Sequence, residues 1–442
     1  MTTLDIDMSR DEHKLHQSSQ TGFIDSNCRR LLMKKLNRLV RGMVTLNDGQ
    51  NCICFGEKNT DLRVEVTVHH PRFYRRAVLG GGLGIARSLI DGDWSCNDLT
   101  SLVRIFIRNL DVSDRFERGF AWFCQRTARA GHWFRRNTRI GAARNIHEHY
   151  DLGNDFYQLF LDETMSYSCG IFEQTSSTMH DASIAKLERV CDYLRLKSDD
   201  HLLEIGTGWG GLAIYAAKNF GCQVTTTTIS REQYNLAIER VQAAGLSDRV
   251  TVLLSDYRDL EGKYDKLVSI EMIEAVGSHF FDTYFQKCND LLKTDGMMLL
   301  QSIVIKDQRF QEYLQSVDFI RKYIFPGGCL PSVAAILQST ASITDMRLLQ
   351  LEDIAPHYTQ TLRCWQKQFN SRLDQVRKLG YSESFIRMWN YYFSYCEAAF
   401  EERQCNTVQM LFAKPDCRFD PVRQETIDTF SFSDQSEQEV LA

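Results

Sequence analysis

The stretch LLEIGTGWGG, residues 202–211, decides the fold of this sequence. An apolar run that predicts a β-strand leads directly into a glycine-rich turn, and a helix-like segment follows. Gly206, Gly208 and Gly211 have the spacing GxGxxG, and the missing side chains let the backbone approach a ligand closely. The spacing alone is a weak signal, because several classes of nucleotide cofactor share it and because glycines also serve tight packing of a helix on a strand.

A regular alternation of strands and helices extends from this turn towards the C-terminus. Such alternation is typical of an α/β fold in which a doubly wound, mostly parallel sheet carries helices on both faces. Strands are predicted at 201–205, 222–229, 249–256, 266–272 and 296–305, and helices at 209–220, 230–245 and 279–293. Residues 306–345 are predicted to be irregular and aromatic, with two helices within 359–404 and a last strand at 406–413.

The class of cofactor depends on residues on either side of the glycines. A nicotinamide site would place an acidic residue about 20 positions further on to hold the ribose hydroxyls, but no acid lies between Asn219 and Arg231. Glu204 stands directly before the turn, where its carboxylate could pair with the ammonium group of a methionine moiety; the alternative is a solvent-facing residue at a strand end. These two features favour S-adenosylmethionine.

Further positions fit the adenosine part of that cofactor. Asp256 follows the third strand and could accept a hydrogen bond from the adenine amino group, while the ring of Tyr257 could cover the base. Gln233 allows two interpretations of equal weight, because Ser230 and Gln233 also form the pattern of a capping box at a helix start.

Composition places the chain among ordinary globular proteins. Of its 442 residues, 43% are hydrophobic and 25% charged, which suffices for two or three domains with a substantial core. No apolar run is long enough for a transmembrane helix and the N-terminus lacks the pattern of a signal peptide, so a cytoplasmic location is predicted. The 14 cysteines are then expected as reduced thiols, and no metal site is predicted, since Cys52 and Cys54 lack a second pair of ligands.

Charge is unevenly distributed along the chain. The formal net charge of −5 argues against a nucleic-acid partner, but residues 115–144 interleave arginines with aromatic residues. This mixture suits an anionic membrane surface, and a solvated basic face with buried rings is an equally weighted alternative. The predicted organisation is a flexible N-terminus at 1–20, a small domain at 21–114, a basic aromatic linker at 115–145, a large domain at 146–415 and an acidic flexible tail at 416–442.

Six ordered motifs carry a resemblance to a known family. They are HYDLGNDFY at 149–157, SYSCGIF at 166–172, LEIGTGWGG at 203–211, DYRDL at 256–260, EMIEAVG at 271–277 and YIFPGGCLPS at 323–332. With them the sequence resembles the cyclopropane-fatty-acyl-phospholipid synthases. The resemblance implies a Rossmann-like class I methyltransferase domain and a smaller N-terminal lipid-associated domain.

The resemblance also implies an activity. Members transfer the methyl group of S-adenosylmethionine to a cis double bond of a phospholipid acyl chain and close a cyclopropane ring, with bound bicarbonate removing a proton from the carbocation. It implies a peripheral enzyme on the inner face of an anionic membrane, with an unsaturated phospholipid as partner, and is compatible with a homodimer. The alternatives are a fatty acyl C-methyltransferase that makes a methyl- or methylene-branched chain, and a non-catalytic lipid-binding protein.

Catalytic positions follow from the family's motifs. Cys169, Glu274, Ile303 and Tyr358 match the bicarbonate pocket; core packing for Cys169 and helix-end roles for Glu274 and Tyr358 are the alternatives. Gln301 stands where well-known members have histidine, and it could donate a hydrogen bond but could not carry a proton near neutral pH. Ala275 also replaces a histidine, so the resemblance leaves the fate of the cation open.

Cofactor and substrate positions follow in the same way. The resemblance assigns cofactor contacts to Tyr167, Ser168, Gly206, Gly208, Thr228, Ile229, Gln233, Tyr257 and Arg258. An acyl tunnel would be lined around Tyr313, Phe319, Tyr323 and Phe325, whose rings could equally be plain core.

Overall fold

The computed structural model describes residues 22–49, 51–109 and 152–418. It divides into two compact units, Met1–Cys124 and Gln125–Ala442. The predicted flexible N-terminus, the basic aromatic linker at 115–145 and the tail beyond residue 418 lie outside the described residues. The five domain bounds given above therefore stay predictions.

In its described residues, the first unit combines a small mixed sheet with three helices. Its sheet has the order β2-β1-β3-β4, with β1 and β3 parallel and the outer pairs antiparallel. The elements are α1 (Phe23–Leu36), β1 (Met43–Asn47), β2 (Cys52–Gly56), β3 (Arg63–Val68), α2 (Arg72–Ile90), β4 (Trp94–Cys96) and α3 (Leu99–Arg108).

Helix α2 contains the glycine-rich run GGGLG, residues 80–84. It begins at Arg72 and runs through the glycines with one kink at Gly81, where φ is 54° and ψ is −140°. Glycine is needed there because side chains exclude L-residues from that region. A Cβ on Gly84 would lie 2.0 Å from the carbonyl oxygen of Arg76. The glycines therefore bend a helix.

The second unit is built on a seven-stranded sheet. Its elements are α4 (Asn154–Tyr157), α5 (Met179–Leu194), β5 (His201–Ile205), α6 (Gly211–Phe220), β6 (Gln223–Thr228), α7 (Arg231–Ala243), β7 (Val250–Leu254), β8 (Tyr264–Ile270), α8 (Phe281–Leu291), β9 (Leu292–Ile305), α9 (Asp307–Leu314), α10 (Val333–Ile343), β10 (Arg347–Asp353), α11 (Ala355–Ser371), α12 (Leu373–Lys378), α13 (Glu383–Glu401) and β11 (Cys405–Ala413). The strand order is β10-β11-β9-β8-β5-β6-β7.

The predicted doubly wound sheet is confirmed. In the sheet, the neighbouring strands β9-β8-β5-β6-β7 are all parallel, and β11 is antiparallel to both of its neighbours, β9 and β10. Alternate residues of β9 enter two different apolar clusters, with Met298 and Leu300 in one and Met297 and Leu299 in the other. This period of two is what a strand buried on both faces produces.

The predictions for two segments, residues 306–345 and the end of the strand at 266–272, were wrong in detail. Residues 306–345 contain α9, α10 and a π-helical turn at Ile320–Ile324, where an irregular region was expected. Strand β8 ends at Ile270, so Glu271 lies beyond the strand with a left-handed φ of 49°. The alternating pattern continues through this position, but the backbone turns there to bring Glu271 into the interior.

No helix among the described residues has the length and apolar character needed to cross a membrane. Every cysteine in the same ranges is a free thiol.

Candidate active site

The glycine-rich turn lies at the carboxyl end of β5, where the strand order reverses. In doubly wound sheets this switch point is the usual ligand crevice. Gly206 has a φ of 105° and Gly208 a φ of 50°, and the amide groups of Gly206 and Thr207 donate to the carbonyl of Thr227. A Cβ on Gly206 would lie 3.3 Å from the side chain of Met272. Backbone conformation and space therefore both favour glycine.

Glu204 is buried, so its solvent-facing alternative is wrong. The hydroxyl of Thr226 donates to its Oε2 at 2.6 Å, and only 5% of the residue is exposed. Burial raises the pKa of Glu204 to about 8, against smaller opposing effects of this hydrogen bond and of the Lys186 charge. A nearby ammonium group would lower the raised pKa of Glu204 and so favour its ionised form.

Thr228 and Gln233 meet at the end of β6. Thr228 Oγ1 donates to Gln233 Oε1 at 2.8 Å, while the Ser230 hydroxyl caps α7 by accepting from the Gln233 amide. Ser230 therefore acts as a cap as the pattern predicted, and the Gln233 side chain is held by Thr228. Ile229 joins these residues at the same edge of the sheet, and the cofactor contacts of all three stay predictions.

Asp256 and Arg258 form a close ion pair after β7. Arg258 Nη2 lies 2.6 Å from Asp256 Oδ2, and its Nε donates to Oδ1 at 2.8 Å. The guanidinium carbon lies 5.4 Å from the ring centroid of Tyr257. An ionised carboxylate has about four lone-pair sites, so the predicted bond from an adenine amino group stays compatible with this pairing.

Tyr167 and Ser168 precede Cys169 on the loop after α4. The Tyr167 hydroxyl is 2.9 Å from that of Tyr392, and Ser168 Oγ accepts from Lys186 Nζ at 3.1 Å. Burial lowers the pKa of Lys186, while the charges of Glu271, Asp162, Cys169 and Glu204 oppose this. A buried lysine thus stands among the acidic groups of the site.

Glu271 receives three hydrogen bonds from catalytic positions predicted by the resemblance. Its Oε1 accepts from the backbone N–H of Cys169 at 3.0 Å and from Gln301 Nε2 at 2.8 Å. Its Oε2 accepts from the Tyr358 hydroxyl at 2.8 Å. Burial raises the pKa of Glu271, and these three bonds counteract the rise. The structure therefore brings Cys169, Gln301 and Tyr358 together around one carboxyl group.

A polar relay fixes the amide of Gln301. Its Oε1 accepts from Gln409 Nε2 at 3.0 Å, and Gln409 Oε1 accepts from Arg189 Nε at 3.1 Å. Because the oxygen of Gln301 is held by Gln409, its NH₂ group faces Glu271. Arg189 on α5 and Gln409 on β11 thereby orient the amide group of Gln301 on β9 as a donor to Glu271.

Glu274 lies one turn beyond Glu271. Its Oε1 accepts from the Ser302 hydroxyl at 2.9 Å and from the Ile303 N–H at 2.6 Å, while its buried Oε2 has no hydrogen-bond partner among the described residues. Burial, followed by the charge of Glu271, raises the pKa of Glu274 to about 8. Glu274 and Ile303 are therefore adjacent, and burial favours the neutral form of Glu274.

Cys169 takes part in the site through its backbone amide, which donates to Glu271. The thiol is fully buried, and burial together with the charge of Glu271 raises its pKa well above the ordinary value. A buried neutral thiol is a poor nucleophile, whereas the amide of the same residue holds Glu271. Cys169 thus belongs to the site through its N–H group.

Aromatic rings surround the acidic groups. The ring of Tyr358 stacks on Phe400 at 4.3 Å between centroids and meets Trp365 edge-on at 6.2 Å. Tyr167 lies 6.4 Å from Phe325 and 5.2 Å from Trp365. Such ring faces are electron-rich and can stabilise a cation.

The four predicted tunnel residues do not form one group. Phe325 contacts Tyr167 and Tyr392 near the acidic groups. Phe319 packs against Tyr323 and Tyr391. Tyr313 accepts a hydrogen bond from the Leu330 amide and faces the guanidinium of Arg321. The tunnel stays a prediction, and Phe325 is the member that joins the site.

Sequence reasoning missed Glu271 and Lys186. The motif EMIEAVG contains both Glu271 and Glu274, and its spacing does not show which of the two carboxyl groups faces Cys169, Gln301 and Tyr358. Lys186 had a detectable signal: it falls in the buried stripe of α5, between Ser183 and Val190. A charge at a core position of an amphipathic helix needs a partner.

The strand order with β11 antiparallel, and the glycine turn at the switch point, define a class I S-adenosylmethionine-dependent methyltransferase. The family model described as Mycolic acid cyclopropane synthetase matches residues 137–410, more than half of the chain. The chain belongs to this family.

Relatives and solved structures agree with this placement. The chain is 38% identical to the tuberculostearic acid methyltransferase of Mycobacterium tuberculosis, over 77% of this chain and 81% of the relative. It is 36% identical to the cyclopropane-fatty-acyl-phospholipid synthase of Escherichia coli K12, over 80% and 89%. A mycolic acid cyclopropane synthase complexed with SAH and CTAB aligns with a TM-score of 0.58 at 29% identity, covering 62% of this chain and 98% of that one. The protein is an S-adenosylmethionine-dependent lipid methyltransferase.

Proposed function

We propose that the protein transfers the methyl group of S-adenosylmethionine to the cis double bond of an unsaturated phospholipid acyl chain and closes a cyclopropane ring. The observation that carries this proposal is the Glu271 carboxyl, held by three donors and bordered by the rings of Tyr358 and Trp365. A carbocation needs such a combination of negative charge and ring faces.

The chemistry explains the arrangement. An alkene is a weak nucleophile, so the sulfonium methyl must be held in line with it at near-attack distance. The sulfur–methyl bond breaks as a carbon–carbon bond forms, which leaves a cation on the acyl chain. Ring closure then requires removal of one proton from the transferred methyl group.

Bicarbonate, which the resemblance assigned to that proton, does not fit these residues. Among the positions that the resemblance gave to its pocket, the Cys169 amide, the Gln301 amide group and the Tyr358 hydroxyl all donate to Glu271. The Ile303 amide donates to Glu274. No step is therefore assigned to bicarbonate.

A branched acyl chain is the second candidate product. It is supported by the similarity to the tuberculostearic acid methyltransferase and by Gln301 and Ala275, which stand where well-known family members have histidine. The same cation would then lose its proton from a neighbouring chain carbon. The product would keep a double bond beside a new carbon branch.

Product analysis tests the proposal. Purified protein would be incubated with methyl-labelled S-adenosylmethionine and vesicles of oleoyl phospholipid, and the acyl chains examined by mass and proton spectra. Upfield cyclopropane protons are expected. A gain of one methylene unit with a retained alkene or a branch methyl would support the second candidate, and cofactor binding without label in any lipid would favour the non-catalytic lipid-binding alternative and contradict both.

A further inference from the structure

We propose that Glu271 is the general base that removes the proton from the acyl carbocation, so that the enzyme carries its own base. This inference rests on the proposed function. It assigns to the Glu271 carboxylate the role for which the family resemblance implied a bound bicarbonate ion.

The first argument is geometric. Three donors from separate parts of the chain converge on Glu271: the Cys169 amide at 3.0 Å, the Gln301 amide group at 2.8 Å and the Tyr358 hydroxyl at 2.8 Å. Cys169 and Tyr358 match the family's bicarbonate pocket, and Gln301 stands where well-known members have histidine. A carboxylate and bicarbonate present the same pair of oxygens in one plane, so the Glu271 side chain satisfies the donors that would hold the ion.

The second argument is the backbone at Glu271. Its φ of 49° lies in the left-handed region, which L-residues other than Asn and Asp rarely adopt. The Glu271 N–H also donates to the carbonyl of Gln301 at 2.8 Å. Strained backbone of this kind persists where surrounding contacts over-determine it, and it clusters at active sites.

The third argument is the burial of the donors. Cys169, Gln301 and Tyr358 are buried, so their polar groups need an acceptor within the protein, and the Glu271 carboxyl supplies it. Tyr358, which donates to Oε2, also stacks its ring on Phe400.

The fourth argument is the distribution of charge. Burial and the charge of Glu271 raise the pKa of Glu274 to about 8, whereas three donors counteract the rise that burial causes at Glu271. Glu271 is therefore the carboxyl of the pair that ionises more readily. The buried Lys186 charge favours an ionised Glu271 as well. Burial raises the pKa of Glu271 against the effect of its donors, which strengthens the carboxylate as a base, and protons next to a carbocation are strongly acidic.

The step balances as follows. After the methyl group has left sulfur and bonded to one alkene carbon, the other alkene carbon is cationic. A Glu271 oxygen takes a proton from the transferred methyl, and the released C–H electron pair forms the third bond of the ring. Glu271 ends protonated and returns its proton to water once the product has left.

Two substitutions at one position test the proposal. Glu271→Gln keeps the size of the side chain and removes the base, so product formation should fall on the order of 100-fold or more. Glu271→Gly removes the side chain and suits the left-handed backbone, so the fold should be kept, and its activity without bicarbonate should be equally low. The exposed Glu261→Gln serves as a matched control.

Bicarbonate distinguishes the two variants. In Glu271→Gly the three donors are released and a space of carboxylate size opens, so added bicarbonate should restore turnover. In Glu271→Gln the space stays filled, and bicarbonate should have no effect. The wild-type protein should be fully active in buffer depleted of carbon dioxide; a requirement for bicarbonate there would overturn the proposal, as would near-normal activity of Glu271→Gln.

A binding measurement keeps this test separate from the proposed function. Carbon-13 NMR of labelled bicarbonate should show binding to Glu271→Gly and none to wild type or Glu271→Gln. This result does not depend on which lipid is used. Absence of any labelled lipid product with the wild type would contradict the proposed function. Binding of labelled bicarbonate to the wild type would instead contradict the role of Glu271.

Discussion

Glu204 illustrates how burial prepares a single residue for a charged ligand. It stands between the glycine turn and the buried Lys186 charge, and its pKa is raised to about 8. Burial therefore favours the neutral form of this carboxyl before the cofactor binds. An ammonium group placed beside it would favour the ionised form.

The affinity for S-adenosylmethionine should consequently depend on pH. Below about pH 8 the free Glu204 is protonated, so binding must release a proton, and the dissociation constant should fall as pH rises from 6 to 7.5, by at most about tenfold per pH unit. Calorimetry in buffers of different ionisation enthalpy would measure both affinity and proton release. Glu204→Gln should remove the slope and the exposed Glu232→Gln should keep it; an unchanged slope in Glu204→Gln would exclude Glu204 as its source.

Helix α2 shows how glycine determines the course of an element. The kink at Gly81 lies in a backbone region closed to other residues, whereas a Cβ on Gly82 would meet nothing within 4 Å. The two neighbouring glycines therefore have different roles, although the sequence GGGLG does not distinguish them.

Alanine substitutions should separate those roles. Gly81→Ala should destabilise α2 by about 1–3 kcal/mol because it forces a side chain into a strained conformation. Gly82→Ala should be neutral or slightly stabilising, since alanine favours helix. Hydrogen–deuterium exchange of peptides covering residues 72–90 would report the local opening free energy, and equal exchange in the two variants would show that the kink does not depend on Gly81.

The strands of the large sheet could be predicted because their burial follows local periodicity. The run at 201–205 was found with its observed bounds. The end of β8 could not be predicted, because the pattern of KLVSIEM continues past Ile270 and only distant donors at Cys169, Gln301 and Tyr358 fix the turn. The glycine turn could be predicted because its signal lies in consecutive residues. The roles of Glu271 and Lys186 depend on contacts between separate elements, so the sequence pattern did not reveal them.

At the scale of the whole molecule, the substrate determines where the enzyme must work. An acyl double bond lies inside a bilayer, so the proposed function requires the protein to reach lipid at a membrane surface. The arginine and aromatic residues at 115–144, outside the described residues, are the segment that we propose for this contact.

Vesicle binding should therefore depend on charge and salt. Binding to anionic phospholipid vesicles should exceed binding to neutral ones and weaken as salt rises above 0.15 M, where the screening length is about 8 Å. Combined Arg135→Gln, Arg136→Gln and Arg139→Gln should weaken it in a sedimentation assay, and the exposed Arg231→Gln should not. Equal binding to both kinds of vesicle would argue for the solvated-face alternative.

The left-handed backbone at Glu271 has a consequence for how such enzymes diverge. Glycine is the residue best suited to that conformation, and the codons for glutamate and glycine differ by one base. With Glu271 as the base, a single nucleotide change would separate an enzyme that contains its proton acceptor from one that depends on the carbon dioxide dissolved in its cell. Both forms would keep the same backbone and the same three donors, so metabolic dependence on carbon dioxide could be gained or lost in one mutation.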